Sequence, residues 1–188
     1  ERFGKLPLEE VMAPAIRYAE KGYPVTPNIS RLWQEAFENY SKYRDRPEFQ
    51  GWFDTFAPNN TWLKPGEMFR CPDMAKTLKE IAATKGEAFY RGAIAEKIDA
   101  FFKKHNGFLT KEDLAAFKPE WVDPISVNYH GVDVWELPPN GHGITVLMAL
   151  QILKDMNLAE RDCADTMHKQ IEAMKLAMVD TAEYVAEP

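Results

Sequence analysis

The stretch from Val132 to Leu158, VDVWELPPNGHGITVLMALQILKDMNL, constrains this chain more than any other. Val132, Val134 and Leu137 are apolar and β-favouring, and Trp135 adds an aromatic, which predicts a short strand. Pro138 and Pro139 carry no N–H, so a sheet ladder cannot continue through them. Asn140-Gly141-His142-Gly143 supplies the freedom of a sharp turn. From Ile144 the chain is apolar almost all round, through Val146, Leu147, Met148, Leu150, Ile152 and Leu153. Such a helix is normally buried. It is also too short and too interrupted to span a membrane. The reading is strand, tight turn, central helix.

The flanking sequence supplies more helices. Leu8, Val11, Met12, Ala15, Ile16 and Ala19 fall on one helical face. Gly22 stops that helix, and Pro14 should kink or divide it. Thr26-Pro27 reads as an N-cap followed by proline at the first helical position. Ile29, Leu32, Trp33, Ala36, Phe37 and Tyr40 form the next stripe, read as core. From Asp45 to Gly66, prolines, glycines and asparagines break the pattern. Phe49, Trp52, Phe53, Phe56 and Trp62 keep this long connection sticky, with room for one short helix.

Pro72 opens a further helix with Met74, Leu78 and Ile81 inward, ended by Gly86. Another runs from about Gly92 to Lys104, carrying Ile94, Ile98, Phe101 and Phe102, and Gly107 stops it. Leu109-Thr110-Lys111-Glu112-Asp113-Leu114 has the spacing of a capping box, Asp113 standing in for the usual Glu or Gln, with Leu109 and Leu114 as its staple. Ile125, Val127 and Tyr129 alternate. With the His130-Gly131 turn and Val132–Leu137 they predict a hairpin. Asp165 or Thr166 caps a last helix to about Tyr184, with Met167, Ile171, Met174 and Met178 on its inner face. The sum is a mostly helical α+β chain with a small β-hairpin, residues 1–188 forming one domain.

Net charge is −6, from 23 Lys+Arg against 29 Asp+Glu. That argues against nucleic acid as a partner, because phosphate binding wants a basic face. No transmembrane segment and no signal peptide is visible, and the chain reads as a piece of a longer polypeptide. Cys71 and Cys163 lie far apart and read as incidental thiols. Asn28, Asn39 and Asn59 each begin an N-x-Ser/Thr triplet, which matters only in a eukaryotic secreted protein.

The four histidines, His105, His130, His142 and His168, form no metal-ligand spacing. The turn around His142 could offer backbone N–H groups to an anion, but it is neither a Walker loop nor a G-x-G-x-x-G, and a structural turn is the simpler reading. Thr166 near His168 is internal, so it lacks the free amine that activates a threonine nucleophile and reads as a helix cap. Ser30, Ser41 and Ser126 lack the G-x-S-x-G setting. Glu9-Glu10 and Glu112-Asp113 read as solvated helix starts. No catalytic residue and no metal site is assigned from these residues.

Several phrases, in order, resemble the large-subunit region of the gamma-glutamyltranspeptidase family. Arg2-Phe3-Gly4-Lys5-Leu6-Pro7, Pro14-Ala15-Ile16 and Ala19-Glu20-Lys21-Gly22-Tyr23-Pro24-Val25 are similar to its early helix. Ala88-Phe89-Tyr90-Arg91-Gly92 with Ala95 is similar to its Phe-Tyr-x-Gly phrase. Asn106-Gly107-Phe108-Leu109-Thr110 through Leu114 is similar to its Gly-Gly-x-Leu-Thr-x-x-Asp-Leu phrase. Leu137-Pro138-Pro139-Asn140-Gly141-His142-Gly143 stands where the family has prolines and then Ser-Ser-Gly-Gly. Ile171-Glu172-Ala173-Met174-Lys175, Ala177, Asp180 and Pro188 resemble the helix leading toward its processing site. Asn140-Gly141-His142 in place of Ser-Ser-Gly, and Thr181 where an Arg is usual, mark a divergent branch.

The resemblance implies part of a four-layer αββα N-terminal-nucleophile hydrolase. Its precursor cuts itself. The new N-terminal Thr of the small subunit then attacks a gamma-glutamyl amide such as glutathione, its own amine serving as base. The acyl group passes to water or an amino acid, without metal or cofactor. Nucleophile and oxyanion hole lie beyond Pro188, and the arginine for the glutamyl carboxylate lies before Glu1. The implied partners are a small gamma-glutamyl substrate and the rest of the precursor, and this piece alone is expected to be inactive. Cephalosporin-type acylases and poly-gamma-glutamate depolymerases share the scaffold and are the alternatives. A self-standing, non-catalytic helical binding module is the other, and it requires a closed surface. A precursor piece leaves apolar faces uncovered.

Overall fold

Most helices start where the local rules place a start. The computed structural model describes residues 2–186; Pro188, the last residue of the family resemblance, lies outside them. The chain divides between Lys118 and Pro119 into two compact units.

In the first unit, α1 (Leu8–Lys21) ends at Gly22 and leads into β1 (Tyr23–Pro24). Pro14 does not divide α1. Its ring lies on the exposed side, and its missing N–H removes only the rung to Glu10. Helix α2 (Pro27–Tyr40) is capped as its sequence predicts, with the Thr26 hydroxyl accepting from the Ile29 N–H at 3.4 Å. Its inward side is Ser30, Trp33, Phe37 and Tyr40, while Ile29 and Leu32 are exposed. Ser30 is tolerated inside because its hydroxyl donates to the Leu63 carbonyl at 2.8 Å.

The connection after α2 is packed by its own rings. Two 3-10 turns, Ser41–Tyr43 and Pro47–Phe49, precede α3 (Gln50–Phe56). Trp33 meets Phe56 at 5.7 Å and Phe69 at 4.9 Å, and Tyr40 meets Trp52 at 4.7 Å, all tilted or edge-on. Phe69 belongs to β2 (Met68–Phe69), which pairs antiparallel with β1. No period-2 run announces this two-residue ladder. Past Pro24 the two arms stay tied at Val25, whose N–H donates to the Glu67 carbonyl at 2.9 Å and whose carbonyl accepts from the Gly66 N–H at 2.8 Å.

Helix α4 (Pro72–Ala83) packs on α1, and a Glu20–Lys79 ion pair joins them. Its inner contacts are Ala75 and Ala82, and Met74 faces out, against the expected inward Met74. Then come α5 (Glu87–Arg91), α6 (Ala93–Lys104) and α7 (Lys111–Ala116). The capping box is formed: the Asp113 N–H donates to the Thr110 hydroxyl at 3.2 Å, and the Thr110 N–H donates to the Asp113 carboxylate at 2.9 Å. Asp99 of α6, only 6% exposed, receives the Lys103 ammonium at 2.7 Å and the Lys111 N–H at 3.3 Å, tying α6 to the first residue of α7.

The second unit is the hairpin with two helices. Strands β3 (Ile125–Tyr129) and β4 (Val132–Glu136) pair in the register Tyr129 to Val132 through Ile125 to Glu136. His130 and Gly131 have φ of 50° and 86°, the left-handed pair that a two-residue type I′ turn requires. Helix α8 (Gly143–Leu153) packs against β3, β4 and α9 (Ala164–Tyr184). Two expectations are corrected. The cap of α9 is Cys163, whose sulfur accepts the Thr166 N–H at 3.4 Å, rather than Asp165 or Thr166. The inner face of α9 is Thr166, Ala173, Ala177 and Thr181, not the methionines. Ala177 is 0% exposed, whereas Met174 and Met178 are 39% and 59% exposed. Small side chains let α8 and α9 approach closely, and that turns the large apolar face outward. For the same reason α8 is not buried all round; Val146 is 41% exposed.

Hydrogen bonding from the Lys103 ammonium holds the Asp99 carboxyl below its usual range; burial pushes the other way, and the Lys111 N–H adds to the lowering. A carboxylate lowered in the folded state stabilises fully above the ordinary carboxylate range. That contribution is lost as pH falls through the lowered value. The urea midpoint of the protein should therefore drop on acidification below about pH 4, and Asp99→Asn should shrink that drop. An unchanged acid slope in Asp99→Asn contradicts the assignment.

Candidate functional site

The chemistry-bearing residues are dispersed among the described residues rather than gathered. His105 lies half-buried, 3.9 Å from the Glu48 carboxylate and beside the Phe101 ring. His130 sits in the hairpin turn and His168 on the exposed side of α9. Among the described residues no group of three or more His, Cys, Asp or Glu side chains could hold a metal ion. The hydroxyls are committed to structure. Ser41 donates to the Phe37 carbonyl at 2.6 Å, and Thr166, buried, donates to the Glu160 carbonyl at 2.6 Å. Ser126 lies exposed on β3.

Of the paired carboxylates, Glu9-Glu10 are exposed in the first turn of α1, and Asp113 serves the capping box. Cys71 and Cys163 are free thiols in different units. Cys163 is not incidental. It caps α9, and the hydroxyl and N–H of Thr166 draw its thiol below the ordinary cysteine range.

The turn at His142 is where sequence and structure converge. Val132, Val134 and Glu136 share one side of β4 by strand alternation, so Glu136 is carried toward the start of α8. Its Oε2 lies 2.5 Å, and its Cβ 2.9 Å, from the point where a Cβ on Gly143 would stand. A carboxylate of the chain itself therefore occupies the N-terminal turn of α8, where the positive end of the helix favours it. The signal was present in the sequence as the alternation of Val134 and Glu136.

Beyond the turn, α8 is flanked by two open apolar grooves. One, of about 420 Å³, is lined by His142 just ahead of α8, by Thr145 and Val146 of α8 and by Met174, Met178 and Thr181 of α9. At its floor the Thr181 hydroxyl donates to the Ala177 carbonyl at 2.7 Å. The Thr145 hydroxyl must then donate to Thr181 at 2.8 Å. The second groove, of about 450 Å³, runs along β3 over Ile144, Leu147 and Met148. No helix among the described residues is long and apolar enough to cross a membrane. The arrangement leaves apolar faces of α8 and α9 exposed, and the chemistry-bearing side chains stay dispersed among the described residues.

The chain belongs to the gamma-glutamyltranspeptidase family, whose sequence profile matches residues 1–188. It is 32% identical over 193 residues to the glutathione hydrolase proenzyme of Pseudomonas aeruginosa, covering 100% of this chain and 33% of that protein. Its fold matches the crystal structure of cephalosporin acylase from Bacillus halodurans with a TM-score of 0.95 and 53% identity, over 99% of this chain and 35% of that one. It also matches Helicobacter pylori gamma-glutamyltranspeptidase with a TM-score of 0.85 and 28% identity, over 99% and 53%. The chain thus spans about a third of the length of the curated relatives it matches.

The close fit at Gly143 yields a prediction. Gly143→Ala puts a methyl against Glu136, and overpacking of this kind costs about 1–3 kcal/mol. Gly141→Ala, two residues earlier, meets nothing within 4 Å. Thermal melting should show a lowered Tm for Gly143→Ala and little change for Gly141→Ala; equal melting contradicts the packed carboxylate.

Proposed function

We propose that this chain is the helical large-subunit scaffold of an amide-cleaving precursor of the N-terminal-nucleophile type. Residues 1–188 make up one partial domain of its αββα fold. The reaction begins when the precursor cuts itself beyond residue 188 and exposes a threonine whose own amine acts as base. That threonine takes the gamma-glutamyl group from a glutathione-like amide and passes it to water or to an amino acid. The chain contributes no catalytic residue, and the chemistry calls for no metal or cofactor. Its partner is the rest of its own precursor, the small subunit included.

The observation that carries this reading is the family match along all 188 residues. The uncovered grooves beside α8 support it, since a self-standing module would close such surfaces. A second reading keeps the mechanism and changes the acyl group to a cephalosporin side chain. Favouring it are the 53% identity to the cephalosporin acylase against 28% to the H. pylori transpeptidase, together with the altered Asn140-Gly141-His142 and Thr181.

The test is the full-length precursor, purified and incubated with a gamma-glutamyl anilide and, separately, a side-chain-acylated cephalosporin, while a gel follows self-cleavage. Cleavage leaving a small subunit that begins with threonine, with release of the anilide, is the expected result. Cleavage with turnover of the cephalosporin alone selects the second reading. A precursor that stays whole and inactive on both overturns the function.

A further inference from the structure

The chain contains two Asn-Gly pairs, Asn106-Gly107 and Asn140-Gly141. This dipeptide carries a chemistry of its own. The glycine nitrogen can attack the carbonyl carbon of the preceding asparagine side chain, because no Cβ on the glycine crowds the approach. A new C–N bond closes a succinimide ring, and the carboxamide nitrogen leaves as ammonia, taking the glycine N–H proton with it. Water then opens the ring at either carbonyl and leaves aspartate or isoaspartate. The balance is one water consumed, one ammonia released and one negative charge gained, with no change of oxidation state.

The two pairs are equal in sequence and unequal in the fold. Asn106 has the left-handed φ of 56°, and the Gly107 N–H donates to the Phe102 carbonyl at 2.8 Å, the bond that closes a Schellman cap on α6. The Phe102 ring also covers Gly107, its Cδ1 2.4 Å from where a Cβ would stand. A nitrogen whose proton is held in such a bond, under a packed ring, is withheld from attack. Gly141 lies in the bend between β4 and α8, two residues before the helix begins. Asn140, Gly141 and His142 are all exposed, and a Cβ on Gly141 would meet nothing within 4 Å. Among the described residues no backbone carbonyl accepts the Gly141 N–H. We propose that Asn140 is a self-modifying residue: in the folded protein the Gly141 nitrogen and then water convert its side chain to aspartate and isoaspartate, while the cap of α6 protects Asn106. The product falls at a structural joint. Isoaspartate routes the main chain through the former side chain and adds one carbon between β4 and α8, the elements that meet where Glu136 packs on Gly143.

The experiment ages the full-length precursor in neutral buffer, folded and in urea, and follows the peptides carrying Asn106 and Asn140 by mass spectrometry with fragmentation that separates aspartate from isoaspartate. In the folded protein Asn140 is expected to convert about tenfold faster than Asn106 or more, since Gly107 must first break its hydrogen bond and leave the ring. In urea the two should convert at similar rates, because the dipeptide is the same. Gly141→Ala, which the open space accommodates, should slow conversion at Asn140 by about tenfold and leave Asn106 as it was. Equal rates at the two sites in the folded protein, or an Asn140 that stays intact there, overturns the proposal. Conversion undiminished in Gly141→Ala means direct hydrolysis of the side chain and overturns the mechanism. Melting is read on the same samples. Aged protein should melt below fresh protein, and an unchanged Tm with isoaspartate present contradicts the effect on the joint between β4 and α8.

Discussion

The contact between α8 and α9 is the constraint on which the second unit depends. Ala173, Ala177 and Thr181 give α9 a flat inner face, and Thr145 and Ala149 of α8 are buried with it. Helices meeting through alanine and threonine come close enough that the hydroxyls of Thr145 and Thr181 must satisfy each other, which they do at 2.8 Å. Everything larger is excluded from the contact. Met174, Met178 and Val146 turn outward as a consequence, and they line the open groove beside α8. The hairpin is fixed to the same helix at its other end, where Glu136 fills the space above Gly143.

The first unit follows a different rule. Its wide connections are filled by rings, as where Trp33 bridges Phe56 and Phe69. Its short helices are joined by single buried or capping carboxylates. Asp99 binds α6 to the start of α7, and Asp113 closes the cap of α7. Both carboxylates are held by structural partners, Asp99 by Lys103 and the Lys111 N–H and Asp113 by Thr110.

Much of this was legible in the sequence because it is local. The Thr26 cap, the capping box at Thr110, the His130-Gly131 turn and the start of α8 each depend on four to six neighbouring residues. The faces of α9 were read backwards for a physical reason. A periodic stripe of methionines reads as core by its spacing alone, and here the small residues make the internal contact while the methionines face outward. The β1–β2 pair was invisible because two residues carry no period. Glu136 was legible in principle from strand alternation, but its significance needed the position of Gly143. No site residue could be named from the sequence, and the geometry gathers none among those described.

The central claim is that the outward methionine face of α9 is an interior surface of the intact protein. Methionine oxidation by dilute peroxide, read by mass spectrometry on the full-length precursor, tests it directly, because a thioether reacts as far as the oxidant reaches it. Met68, 44% exposed in the first unit, serves as the internal reference. The account predicts that Met174 and Met178 oxidise far more slowly than Met68 in the folded precursor and at the same rate once it is unfolded. Oxidation of all three at one rate in the folded protein would mean that the face is open to solvent and contradict the account.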